Sequence, residues 1–251
     1  MGIRTRWVTP GDSAGAGTMN PARFLEQYFY LGMALLITAT VMYGFSRTVE
    51  TNLIHAVPAR PLLLYLHAAV FSSWLAFFIC QSLLIRVHNL RLHRTMGWLG
   101  VALGSAVFLV GIWTAIVMSR FRILHFAGRG AVPILGLSFY DIAAFAVPFA
   151  LAIVWRKRPE YHRRLMLLAT CALTSAAFGR FPPQVMPRHW FFIGVDLLVA
   201  LGVLRDLIVS RRIHRVYLVG LPAFVLCQSV VMFILMSHSP DWARIANAIL
   251  R

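Results

Sequence analysis

The sequence predicts an all-α fold, a polytopic membrane protein built as a bundle of seven transmembrane helices. Three observations carry that expectation. Seven long apolar stretches, ended by arginines or by Pro/Gly-rich turns, take up most of the 251 residues. About 20 apolar residues at 1.5 Å rise suffice to span a hydrocarbon core of roughly 30 Å. Hydrophobic residues make up 59% of the chain and charged residues 13%, with a mean hydropathy of +0.73. That is more apolar surface than a water-soluble domain of this length could enclose.

The elements follow in chain order. Residues 1–23 are polar and rich in Gly, Ala and Ser, which reads as a disordered cytoplasmic tail. They lack the apolar core of a cleavable signal peptide, so the first span is expected to act as an uncleaved targeting signal. Met19 opens an alternative start, MNPARFLEQ. The transmembrane domain occupies 24–237, with spans expected at 24–45, 62–85, 96–118, 135–155, 165–181, 190–209 and 217–237. The fifth is short for a crossing unless Pro182 and Pro183 lie at its mouth. The third carries Gly97, Gly100, Gly104 and Gly111, and Gly100-x-x-x-Gly104 is the small-residue spacing that lets helix backbones approach closely. This span is expected at the centre of the bundle. Residues 238–251 form a short interfacial C-terminal helix, with Ser239 as N-cap, Pro240 at its first position, and Trp242, Ile245 and Ile249 on one side.

The formal net charge is +16, yet the cations stand mainly at the ends of apolar segments, the pattern of topology signals. No soluble domain is left to present a basic face, which argues against nucleic acid as a partner. With the N-terminus inside, 15 Lys and Arg fall on the inner side and 9 on the outer. The bias predicts a cytoplasmic N-terminus and an external C-terminus. Cys80, Cys171 and Cys227 all lie within apolar segments, without C-x-x-C spacing, and read as small buried hydrophobes.

His93-Arg94, His162-Arg163 and His214-Arg215 recur at the expected inner ends of the third, fifth and seventh spans. The plain reading is an interfacial flank, in which Arg obeys the positive-inside rule and His is its amphipathic neighbour. Two neutral imidazoles at one depth could instead clasp a haem iron. A non-haem metal site is a third reading, although no carboxylate or cysteine cluster accompanies these histidines.

Ionisable groups inside a span are costly and mark function. His67, Asp141, Arg180 and Asp196 all fall in the outer half of the expected membrane, on four different spans. They are expected to form a buried polar cluster, with Arg180 pairing to Asp141 or Asp196. Such a cluster could handle protons, line a haem pocket, bind a small anionic ligand, or simply lash the helices together. His67, Trp74 and Gln81 are seven apart, on one helix face about 21 Å long by helical rise. Gln81 and Gln228 are expected to make interhelical hydrogen bonds.

At these residues a resemblance enters. The stretch DIAAFAVPFALAIVWRKRPEYHRRLMLLATCALTSAAFGRF (141–181) resembles a segment of uncharacterised bacterial multi-pass membrane proteins. HAAVFSSWLAFFICQSLLIRVHNLRLHRTMG (67–97) is similar to the His, Trp, Gln and His-Arg-x-x-Gly positions of that family. The resemblance implies a bacterial plasma (inner) membrane and singles out His67, Gln81, His93, Asp141, His162 and Arg180. A more distant similarity to dihaem cytochromes b implies His67 as an outer ligand and His93 with His162 as an inner pair. His125 and His189, which would have to supply the second outer ligand, stand at loop or helix edges.

Three functions are consistent with these residues. One is transmembrane electron transfer through b-type haem, with an unidentified redox partner. Another is a proton-coupled small-solute carrier or ligand-binding membrane protein using Asp141, Arg180, Asp196 and His67. The third is a non-catalytic accessory subunit. No nucleophile elbow, phosphate loop or zinc-protease helix is present in the sequence.

Overall fold

A computed structural model describes residues 21–127, 131–187, 189–237 and 239–251, with side chains from residue 24 onward. Most of the tail expected over 1–23, and the alternative start at Met19, lie outside the described residues. The described chain is helical throughout, without strands. It runs as α1 (Pro21–Ser46), α2 (Leu62–Arg86), α3 (Leu90–His125), α4 (Ala131–Val154), α5 (Pro159–Ala172), α6 (Ser175–Phe178), α7 (Phe191–Ser210), α8 (Arg215–Met236) and α9 (Pro240–Leu250). A single π turn, Glu50–Ile54, lies between α1 and α2.

Five helices are long and apolar enough to cross a membrane: α1 from Phe24, and all of α2, α3, α4 and α8. The remaining two expected spans differ from these for physical reasons. α7 carries Asp196, Arg205 and Asp206 within 20 residues. The fifth span is divided. α5 ends at Ala172, and the Thr174 hydroxyl donates to the Cys171 carbonyl at 2.6 Å, tightening the backbone before α6 resumes at Ser175. Hydroxyls that bond back to the preceding turn compete with the helical ladder in this way. The helical path nonetheless begins at Pro159, earlier than the sequence suggests, and continues through turns to Phe181.

Neighbouring helices run antiparallel, and contacts at their ends show it. At one end, here the basic end, Arg86 bonds the Tyr28 hydroxyl, Arg156 lies over Trp98, and Tyr161 meets His214. At the far end, Arg60 lies over Phe121 and Phe126, Tyr43 meets Phe181, and Arg120 donates to the Ile249 carbonyl.

The centre belongs to α5, not to α3 as the glycine pattern suggested. α5 packs against α1, α4, α7 and α8, and its buried residues run from Arg164 to Ala172. α3 packs against α2, α4 and α9, while Trp98, Leu99, Leu109 and Trp113 point outward. Its glycines still serve close approach: a Cβ on Gly104 would run into the Phe149 ring. The tightest backbone contact is elsewhere, where Gly44 of α1 faces α6. A Cβ there would lie 2.9 Å from Ala177 Cα.

The core is apolar, yet several polar groups share it and large apolar side chains remain on the surface. Arg164, Arg205, Asp206, Thr170, Thr174, Ser175, Gln81 and Gln228 are buried, while large apolar side chains such as Phe233, Leu197 and Val219 are exposed. α9 is capped by the Ser239 hydroxyl, which accepts from the Trp242 amide. It lies on α3 and α4 through Trp242, Ala246, Ile249 and Leu250, with Ile245 turned outward.

Candidate functional site

The polar face of α2 is buried as its spacing requires, and its polar atoms lack partners. The His67 ring stacks on Phe71 at 3.9 Å, and its Nδ1 has no hydrogen-bond partner among the described residues. Trp74 is packed edge-on against Phe145 and Phe149, its Nε1 likewise unpaired. Gln81 is buried with neither amide atom bonded, so the interhelical hydrogen bond expected of it is not formed. Gln228, by contrast, makes the expected link: its Nε2 donates to Asp196 Oδ1 at 3.0 Å, joining α8 to α7.

The four groups expected to cluster divide in two: His67 lies within electrostatic reach of Arg180, and Asp141 and Asp196 both lie within reach of Tyr140. Asp141 Oδ2 accepts from the Ser175 hydroxyl at 2.6 Å, so the carboxyl on α4 meets the first residue of α6, at the division of the fifth span. Asp141 Oδ1 has no partner among the described residues. Asp141, Tyr140, Phe192, Val195 and Gln228 line a gap between α4, α7 and α8 that is too narrow for water. Arg180 turns the other way. It donates to the Ala176 carbonyl and lays its guanidinium over the Phe45 ring, 4.2 Å from the centroid. The expected pairing of Arg180 with Asp141 or Asp196 is therefore absent from the described ion pairs. Ser175 and Gln228 occupy the carboxyls, and the turn after α6 aims Arg180 at α1.

The three His-Arg repeats separate into a pair and a cap. His93 and His162 approach with ring centroids 6.4 Å apart and planes at 78°. His162 Nδ1 lies 2.9 Å from the Ala152 carbonyl, so it donates there and leaves Nε2 with a lone pair. His93 Nδ1 has no partner among the described residues. His214 does something else: its Nδ1 accepts the Val216 amide at 3.2 Å and caps α8. Among the described residues, no three His, Cys, Asp or Glu side chains are grouped to hold a metal ion.

The most heavily bonded site lies among residues that no motif singled out. Arg164 reaches Asp206 through two parallel bonds, Nε to Oδ2 at 2.8 Å and Nη2 to Oδ1 at 2.6 Å. Its Nη1 bonds the Glu160 carboxylate at 2.5 Å and the Glu160 carbonyl at 2.8 Å. Arg205 adds a further contact to Asp206 Oδ1 at 3.1 Å. All three of Arg164, Arg205 and Asp206 are buried, and the hydroxyls of Tyr30 and Tyr217 have no hydrogen-bond partner among the described residues. Arg164 and Arg205 look like topology charges in sequence. The available signal was Asp206, one of only eight acidic residues, set directly beside an arginine in an apolar run.

Against protein-family models, curated proteins and solved structures, the chain finds no match.

Proposed function

We propose that the chain is a multi-pass protein of a bacterial inner membrane, crossing it seven times with the N-terminus cytoplasmic, and that it binds one b-type haem between His93 and His162 for electron transfer. The many large apolar side chains left exposed on long helices support a lipid surround. The antiparallel contacts at both ends support counting α5–α6 and α7 as crossings, since protein shields their polar groups. The basic end is then the cytoplasmic one.

The observation that carries the haem reading is the imidazole pair. Two rings from different helices approach edge to face at 6.4 Å, and the Ala152 carbonyl fixes the His162 tautomer that leaves Nε2 with its lone pair. Two imidazoles are too few to hold a bare metal ion alone, and His93 and His162 would together be the protein ligands of a haem. The group when bound supplies one-electron redox chemistry. The chain's own residues orient the rings: the α4 carbonyl holds His162, and the Asn89-capped first turn of α3 presents His93. Protein purified from haem-replete cells should show a Soret band, lost in His93→Ala and in His162→Ala and retained in His214→Ala. A colourless wild-type preparation ends this reading.

One observation favours the carrier as a second reading. Asp141 meets the division between α5 and α6, and divided helices at mid-membrane are where many carriers bind ions. In proteoliposomes under an imposed pH gradient, Asp141→Asn should then reduce proton flux, and unchanged flux would discard the idea.

A further inference from the structure

Where α5 begins and α7 turns into α8, the basic end opens into a cavity of about 320 Å³. Its lining includes Glu160, Arg164, Arg212, His214 and Arg215. The volume is at the lower end of what small-molecule sites occupy. Three arginines against one carboxylate make the lining cationic, and the carboxylate is already engaged. Glu160 Oε2 is shared by Arg163 and Arg164, each at 2.5 Å. Arg164 in turn is committed to Asp206 and Glu160, so it contributes charge more than free donors.

Arg212 and Arg215 are different. Both are exposed, and neither enters an ion pair among the described residues. The turn that carries them is sharply made: Arg211 closes α7 in the left-handed region at φ 50°, and His214 opens α8. Because His214 Nδ1 accepts from Val216, the neutral ring carries its hydrogen on Nε2, which is left to donate. The first turn of the 22-residue α8 adds the positive end of a helix dipole.

We infer that this cavity binds a phosphate ester, held by the guanidinium forks of Arg212 and Arg215 with His214 Nε2–H as a further donor. Guanidinium matches phosphate oxygens two at a time, and basic pockets between helices at the cytoplasmic face are a recurrent way of holding anionic lipid headgroups. The same chemistry would take a headgroup from the inner leaflet or a phosphorylated solute from the cytoplasm. The site is independent of the haem reading, because none of its donors is His93 or His162.

The test is thermal unfolding of the full chain in neutral detergent, titrated with inorganic phosphate, and in nanodiscs of phosphatidylcholine with or without phosphatidylglycerol. The visible spectrum of each sample is recorded so that loss of haem is scored separately. We expect a rise of several degrees that disappears in Arg212→Gln/Arg215→Gln and persists in Arg91→Gln/Arg94→Gln, which removes two cations from the start of α3. A rise with phosphatidylglycerol alone assigns the site to lipid, and a rise with inorganic phosphate assigns it to a soluble ester. No rise in wild type under either condition overturns the proposal. So does equal loss in both double variants, which would mean a diffuse basic rim in place of a site. Arg212→Lys/Arg215→Lys, which keeps charge but not the fork, should retain only part of the shift.

Discussion

Asp206 neutralises two buried arginines at once, so its removal has a definite sign. Asp206→Asn strands Arg205 without a counter-charge and leaves Arg164 only the exposed Glu160 carboxylate, and breaking a buried pair on one side costs about 3–5 kcal/mol. Thermal unfolding in detergent should report a loss of that size, and a variant as stable as wild type would contradict the pairing. Glu160 gives a milder, pH-dependent counterpart. Burial pushes its carboxyl up, but the hydrogen bond from Arg164 and the guanidinia of Arg163 and Arg164 outweigh this, so it titrates below its ordinary value of 4.5. A depressed carboxyl stabilises the fold fully above its unfolded value, and that contribution disappears as pH falls through the lower folded one. The wild-type unfolding temperature, measured relative to Glu160→Gln, should therefore decline on acidification below the usual glutamate range. At this scale the sequence singled out Asp141 and Gln228, whose polar groups the fold buries, but passed over Arg164, Arg205 and Asp206. It did not reveal their partners. The bond between Arg164 and Asp206 closes over 42 residues, and no local spacing encodes it. Likewise, depth placed Arg180 and Asp141 at one level, whereas their rotation about each helix decided that they would not meet.

Among the elements, helix packing discriminates between glycines of similar appearance. Gly44 faces backbone on α6, which cannot yield as a side chain can, so Gly44→Ala should destabilise by about 1–3 kcal/mol, as overpacking does. Gly32, on the same helix, has open space for 4 Å around the point where a methyl would sit, and Gly32→Ala should stabilise by up to about 1 kcal/mol through helix propensity. Equal effects would refute the α1–α6 contact. Long apolar runs made α1, α2, α4 and α8 legible almost to their ends. α3 proved longer, Leu90–His125, because its flanking arginines and histidines extend the helix beyond its apolar middle. The fifth span was the least legible. Its polar sequence suits a helix enclosed by four others, and hydropathy reads exposure to lipid, not enclosure by protein.

For the molecule as a whole, the proposed orientation makes a simple demand on fused reporters. One that is active only in the cytoplasm should work when joined to the N-terminus or inserted in the Trp155–Arg158 turn, and fail when inserted in the turn after Phe181. Activity at both turns would leave α5–α6 short of a crossing and reduce the count. The five helices that meet a length and hydropathy criterion support a lipid setting by themselves. The two additional crossings that we propose rest on which ends touch: Arg164 with Asp206 at the basic end, and Tyr43 with Phe181 at the other.

The position of α5 bears on how the protein is made. A ribosome releases this helix before α7 and α8, two of the four walls that will surround it, and Arg164 emerges ahead of the aspartate that neutralises it. A nascent chain halted before residue 190 has a guanidinium with no carboxylate from α7 to receive it. The complete surround of α5 therefore requires the last quarter of the chain.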